Sequence, residues 1–155
     1  MGGEAELSAL DPRYRTMLRL RGAILALMLL GAALAGELTE VAPTGVFLVP
    51  AALLALWLAV IAPARRFSRW GYRLDPDRLR IVSGYLFHRD TVVPLGRVQH
   101  IDVDQGPLMR RYGLATLTVH TAGNANASVA LPGLARGDAL AMREAIRTHI
   151  KQARA

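Results

Sequence analysis

The stretch Val41–Leu74, "VAPTGVFLVPAALLALWLAVIAPARRFSRWGYRL", changes character partway along. Its first 24 residues, Val41–Ala64, carry no charge. That exceeds the ~20 apolar residues a helix needs to cross a bilayer. Arg65, Arg66 and Arg69 follow, and then Trp70, Tyr72 and Leu74 alternate with small or polar residues. Alternation of period two marks a half-buried strand. A membrane helix therefore gives way to β-structure within a few residues.

Working toward the N-terminus, Gly22–Gly36 is a second uncharged run, extended by Leu18, Leu20 and Leu38. Arg19 and Arg21 at its end can snorkel to the headgroups. The two runs predict a transmembrane hairpin over 17–64, with spans at about 17–38 and 41–64, after an N-terminal segment 1–16. The connection Glu37–Glu40 ("ELTE") is acidic. Arg13, Arg15, Arg19 and Arg21 lie before or at the start of the first span, and Arg65, Arg66, Arg69 and Arg73 follow the second. The positive-inside rule places both termini of this multi-pass chain in the cytoplasm. A signal-peptidase site at Ala33–Ala35 is the competing reading. Glu4, Glu6 and Asp11 make an awkward n-region for it.

From Arg65 to Ala155 the texture is that of a mainly-β domain. Leu79, Ile81 and Ser83 continue the meander after the turn at Asp75–Asp77. A third strand is expected over 85–93, ended by Pro94. The phase shift between Val98 and Ile101 predicts a loop or helical turn before the next strand. Gly106, Pro107 and Gly113 break the alternation, and Leu114–Ala122 resumes it. A Gly/Asn-rich turn and a short strand stopped by Pro132 come next. Ala139, Met142, Ile146 and Ile150 then mark an amphipathic helix over 137–153. Asp138 near its start and Arg147, Lys151 and Arg154 near its end suit the helix dipole. Short antiparallel strands capped by one helix describe a small barrel or sandwich.

The segment Arg97–Gly123, "RVQHIDVDQGPLMRRYGLATLTVHTAG", resembles the signature of the bacterial PH-like membrane proteins of the YdbS type. The matching residues are Arg97-Val98-Gln99, the run Gln105–Gly113 and the Thr-rich strand after it. The resemblance implies two N-terminal transmembrane helices before one pleckstrin-homology-like domain. It implies a membrane-associated binding or assembly module in a bacterial inner membrane. No nucleophile motif or phosphate-cradling loop points to an enzyme or a cofactor, and the expected partner is a second copy or a related membrane protein.

Composition narrows the chemistry further. The chain has 155 residues, a formal net charge of +7 and no cysteine, which excludes disulfides and thiolate metal sites. Such a charge suits an anionic partner. With arginines flanking both spans, the lipid bilayer and its acidic headgroups fit better than nucleic acid, for which no recognition motif is present. His100, Asp102 and Asp104 fall on one face of a strand. With His120 on a neighbouring strand they open an alternative, a metal-dependent membrane hydrolase. The plainer reading is the wet face of a half-exposed sheet. Ser68, Ser83 and Ser128 lie in no nucleophile motif. In "PLMRRYG", Leu108 and Met109 are a candidate apolar contact with lipid or a partner; in the structural reading Leu108 and Tyr112 instead plug one end of the barrel. Arg110 and Arg111, with Arg65, Arg66 and Arg69, are candidate contacts for acidic headgroups or a partner protein, and an acidic-lipid sensor is the remaining alternative. Small residues (Gly22, Ala26, Ala32, Ala33 and Gly36) offer faces where helices can approach closely.

Overall fold

Two apolar helices lead the chain, α1 (Pro12–Glu37) and α2 (Leu48–Ser68). The computed structural model describes residues 7–41, 43–84, 87–122 and 128–154. They fall into two compact units: Arg15–Ser68, and the N-terminal segment through Tyr14 together with everything from Arg69 onward.

In the helical unit, the most apolar windows of α1 and α2 are only 22% and 17% buried. A core helix of a water-soluble domain would be mostly covered, and residues such as Leu27, Met28, Val49 and Leu53 instead face outward. The two helices run antiparallel. Gly22 lies against Leu58 and Ala59 near one end of the pair, and Gly36 against Phe47 near the other. The connecting turn is fastened by Glu37, whose carboxylate accepts from the N–H groups of Gly45 and Phe47. Those donors lie at the start of α2, where helix N–H groups have no intrahelical acceptor. The second span starts at Leu48 because the backbone from Pro43 to Phe47 is spent in this turn.

One π-turn, Trp57–Ile61, interrupts α2. Its cause is Pro63, which has no N–H and whose ring crowds the carbonyl four residues back. The Ala62 N–H bonds the Trp57 carbonyl, five residues back. The extra residue absorbs the clash.

The β unit contains two three-stranded antiparallel sheets. β1 (Gly71–Leu74), β2 (Arg78–Ser83) and β3 (Arg89–Pro94) pair in sequence order. After a 3₁₀ turn at Leu95–Arg97, β4 (Val98–Asp104), β5 (Leu114–Thr121) and β6 (Ser128–Ala135) form the second sheet. A short helix α3 (Pro107–Arg111) links β4 to β5, and α4 (Arg136–Arg154) closes the unit. Inward side chains make the core: Leu79 and Ile81, and Leu117 and Val119, at alternate positions, with Leu131 and Leu134 on either side of an irregularity in β6. Ala139, Met142 and Ile146 of α4 join them in burial. Each large member contributes about 1.5–3 kcal/mol by leaving water. The arrangement is a PH-like sandwich with a C-terminal helix, as the sequence led us to expect.

Two strand boundaries differ from expectation. Among the described residues β3 begins at Arg89, and Phe87 before it is 85% exposed. Tyr85, where the strand was expected to start, lies outside the described residues. Pro132 does not stop β6, which runs on to Ala135. As the edge of its sheet, β6 needs no donor at Pro132 on its outer side. The register shifts between Ala115 and Leu117, where Thr116 of β5 faces the two residues Pro132 and Gly133 of β6. This is a bulge, and Gly133 takes φ +74° in it. At the other sheet edge Gln99 is a second irregularity, between Val98 and His100. It accounts for the phase shift seen in the sequence.

The bulge at Gly133 receives the N-terminal segment. The Asp11 N–H donates to the Gly133 carbonyl at 2.9 Å. A Cβ at Gly133 would lie 2.5 Å from Cγ of Tyr14. Ser8 forms an antiparallel bridge with Tyr72 through two bonds of 2.8 and 3.0 Å. Leu10 and Tyr14 are 3% and 2% exposed. Residues 7–14 are thus built into the β unit.

Candidate functional site

The opposed residues of β4 and β5 include His100 across from His120. Their rings lie 5.9 Å apart, and Asp102 stands between them. Its Oδ1 is 2.7 Å from Nε2 of His100 and its Oδ2 3.1 Å from Nε2 of His120. Asp104 lies opposite Thr116, two residues further along, and stays outside this cluster. Both carboxylate oxygens of Asp102 are taken up by imidazole nitrogens, and the three side chains are between 40% and 70% exposed. Among the described residues no group of three His, Cys, Asp or Glu side chains is disposed to hold a metal ion. The cluster is a hydrogen-bonded patch on a wet sheet face, a geometry that does not favour a hydrolase.

The "PLMRRYG" motif is a one-turn helix with a local logic. Gly106 precedes it in an extended conformation, Pro107 occupies the first position, and Gly113 ends it at φ +66°. Proline at the start suits the donor-free first position, and a left-handed residue after the end suits glycine. Gln105 donates from Nε2 to the Leu114 carbonyl at 2.6 Å. Met109 is half-buried, and the Thr116 hydroxyl lies 3.4 Å from its sulfur. Leu108 is half-buried as well. Arg110 and Arg111 beside them are exposed.

The juxtamembrane arginines divide between the units. Arg65 and Arg66 stand in the last turns of α2, exposed, and Arg69 opens the β unit, also exposed. Several arginines elsewhere pair with carboxylates. Arg80 on β2 grips Asp90 on β3 with Nε 3.0 Å from Oδ1, and its hydrogen bonds hold the Asp90 carboxyl below the usual range. Arg13 forks onto Asp11 with bonds of 3.0 and 2.8 Å. This lowers the Asp11 carboxyl despite partial burial, which acts in the opposite sense.

Two features escaped the sequence reading. One is the docked segment 7–14, foreshadowed by Leu7, Leu10 and Tyr14 recurring at helix-like intervals. The other is a groove between β4 and α4 with a volume of about 570 Å³, bordered by Arg143, Arg147 and Lys151. The spacing of these three residues was visible in the sequence. The strand they would face was not.

Comparison with known proteins agrees with this architecture. The family model described as Bacterial PH domain matches residues 22–151, from within the first helix to near the end of α4. The chain is 34% identical over 98 residues to the UPF0699 transmembrane protein YdbS of Bacillus subtilis (strain 168). The alignment takes in 59% of this chain and 60% of that relative, so less than two thirds of the relative's length is spanned. No solved structure matches.

Proposed function

This chain belongs to the bacterial PH domain family, and from that premise we propose that it is a membrane-anchored binding module. Its β unit works at the cytoplasmic face, within a complex of this chain with itself or with a related membrane protein. The observation that carries the reading is the Ser8–Tyr72 bridge. It joins residues before the first span to residues after the second, which supports placing both segments on one side of the bilayer. The two candidate spans between them and the arginine asymmetry support the cytoplasm as that side. Arg65 and Arg66, at the end of α2, stand at headgroup depth in this arrangement, where each contributes about 1 kcal/mol near an anionic leaflet.

Two measurements test the proposal. A reporter active only outside the cytoplasm is expected to be silent when fused to the C-terminus and active when inserted between Leu38 and Thr39. The opposite pattern removes the cytoplasmic assignment. Native mass spectrometry after extraction in mild detergent is expected to show a complex of fixed stoichiometry, homomeric or with a second membrane protein. A lone monomer under those conditions defeats the scaffold reading.

A further inference from the structure

We propose that the groove between β4 and α4 is a docking site for an extended acidic peptide segment, which adds as a strand to the free edge of β4. The proposal rests on the reading of the β unit as a binding module and names the chemistry of its partner.

The argument starts from the sheet edges. In the order β4-β5-β6, β4 is an outer strand, and among the described residues no strand pairs with its far side. An open edge presents alternate N–H and C=O groups to any extended chain that reaches it. Two other outer strands are met by the N-terminal segment: Ser8 bridges β1, and the Asp11 N–H bonds the Gly133 carbonyl of β6. β3 is an outer strand as well, and it ends in Pro94, which offers no donor. Beside β4 the protein leaves a groove.

That groove has an apolar floor and a cationic bank. Val98 is buried, and Ile101 and Ile150 are half-buried along its length. Arg143, Arg147 and Lys151 stand on the α4 side at intervals of four residues. Four residues of helix advance about 6 Å. Alternate side chains of an extended strand recur every ~6.8 Å. A peptide laid along β4 with acidic residues at every second position therefore brings successive carboxylates close to successive cations. Its intervening side chains point to the opposite face.

The local acids do not cancel the bank. Glu144 reaches Arg143 at 3.2 Å and Arg147 at 3.4 Å through one oxygen, and it is itself 56% exposed. Asp102, on the strand side, is engaged by His100 and His120. Lys151 has no carboxylate within ion-pair distance among the described residues. A volume of about 570 Å³ lies within the roughly 300–1,000 Å³ usual for ligand sites. The irregularity at Gln99 places the end of the regular edge, so pairing runs along His100–Asp104.

The test uses the full chain in phosphatidylcholine nanodiscs and a labelled heptapeptide in which glutamates alternate with threonines. Fluorescence anisotropy is expected to show saturable binding, and hydrogen exchange at the amides of residues 100–104 is expected to slow. The same peptide N-methylated at every backbone nitrogen keeps its charge but lacks the N–H donors, and should bind at least about tenfold more weakly. The double variant Arg147→Gln, Lys151→Gln removes two exposed cations and should weaken the first peptide by a similar factor. Equal binding of the two peptides overturns the proposal, as does wild-type affinity in the double variant. If that variant instead loses binding to phosphatidylglycerol vesicles while its peptide affinity is unchanged, the cationic stripe is a lipid contact and the proposal also fails. A chain that forms a fixed complex in mass spectrometry yet ignores the peptide loses this groove while keeping the binding-module reading.

Discussion

Replacing Gly133 by alanine is expected to lower the stability of the β unit by about 2–5 kcal/mol. Two independent costs add. Gly133 sits at φ +74°, where an L-residue with a Cβ is strained by about 1–2 kcal/mol. The new methyl would also lie 2.5 Å from Cγ and 2.6 Å from Cδ1 of Tyr14. Tyr14 is 2% exposed, so the ring has little room to retreat. Overpacking of this kind costs about 1–3 kcal/mol, a large share of a typical domain's ~5–15 kcal/mol. Urea denaturation of the full chain in neutral detergent reads the loss. Hydrogen exchange should locate it, because displacing Tyr14 also weakens the bond from the Asp11 N–H to the Gly133 carbonyl. Gly137→Ala is the control. Nothing lies within 4 Å of its would-be Cβ, and alanine in a helix is better than glycine by up to about 1 kcal/mol. Equal effects at the two positions would refute the docking of Tyr14 on the bulge.

That segment also shows where sequence reasoning reaches and where it stops. Periodicity identified β1, β2, β5 and α4, because burial on one face writes itself into spacing two or about 3.6. Charge asymmetry and run length marked both spans. Pro132 misled because a proline ends a central strand but is tolerated on an edge, and which strand lies at an edge is a tertiary fact. Leu7, Leu10 and Tyr14 carried a faint apolar rhythm, too short to reveal what they cover. The same limit applied to the site. Arg147 and Lys151 read well enough as complements to a helix dipole. Only the placement of α4 beside the open edge of β4 turns them, with Arg143, into the bank of a groove. Asp102 and His100 were legible as neighbours on one strand face and His120 as a candidate from a neighbouring strand, whereas the register that separates Asp104 from them was not.

Replacing Gly22 by valine is expected to disrupt the helical hairpin more than any other single change in it. A Cβ at this position would stand 2.2 Å from the Leu58 carbonyl oxygen, 3.0 Å from its carbon and 3.2 Å from Cα of Ala59. These are backbone atoms of the other helix, so no side-chain rotation relieves the clash, and the helices must separate. The π-turn concentrates the effect here. The Ala62 N–H goes to the Trp57 carbonyl, and the residue five beyond Leu58 is Pro63, which has no N–H to give. The Leu58 carbonyl is thereby turned toward Gly22, whose Cα hydrogens approach it as weak donors. Within lipid, helices associate through close packing rather than hydrophobic expulsion. Losing this contact should therefore cost about 1–3 kcal/mol of hairpin association. Cysteines introduced at Ala26 and Ala55, both buried, report the approach by disulfide cross-linking in membranes. The Gly22→Val chain should cross-link markedly less than the Gly22 chain. Gly31→Ala, where a Cβ meets nothing within 4 Å, should cross-link as before. Unchanged cross-linking in Gly22→Val would mean that the helices are held apart from this crossing by other contacts, and that Gly22 is only one of many small residues in an alanine-rich span.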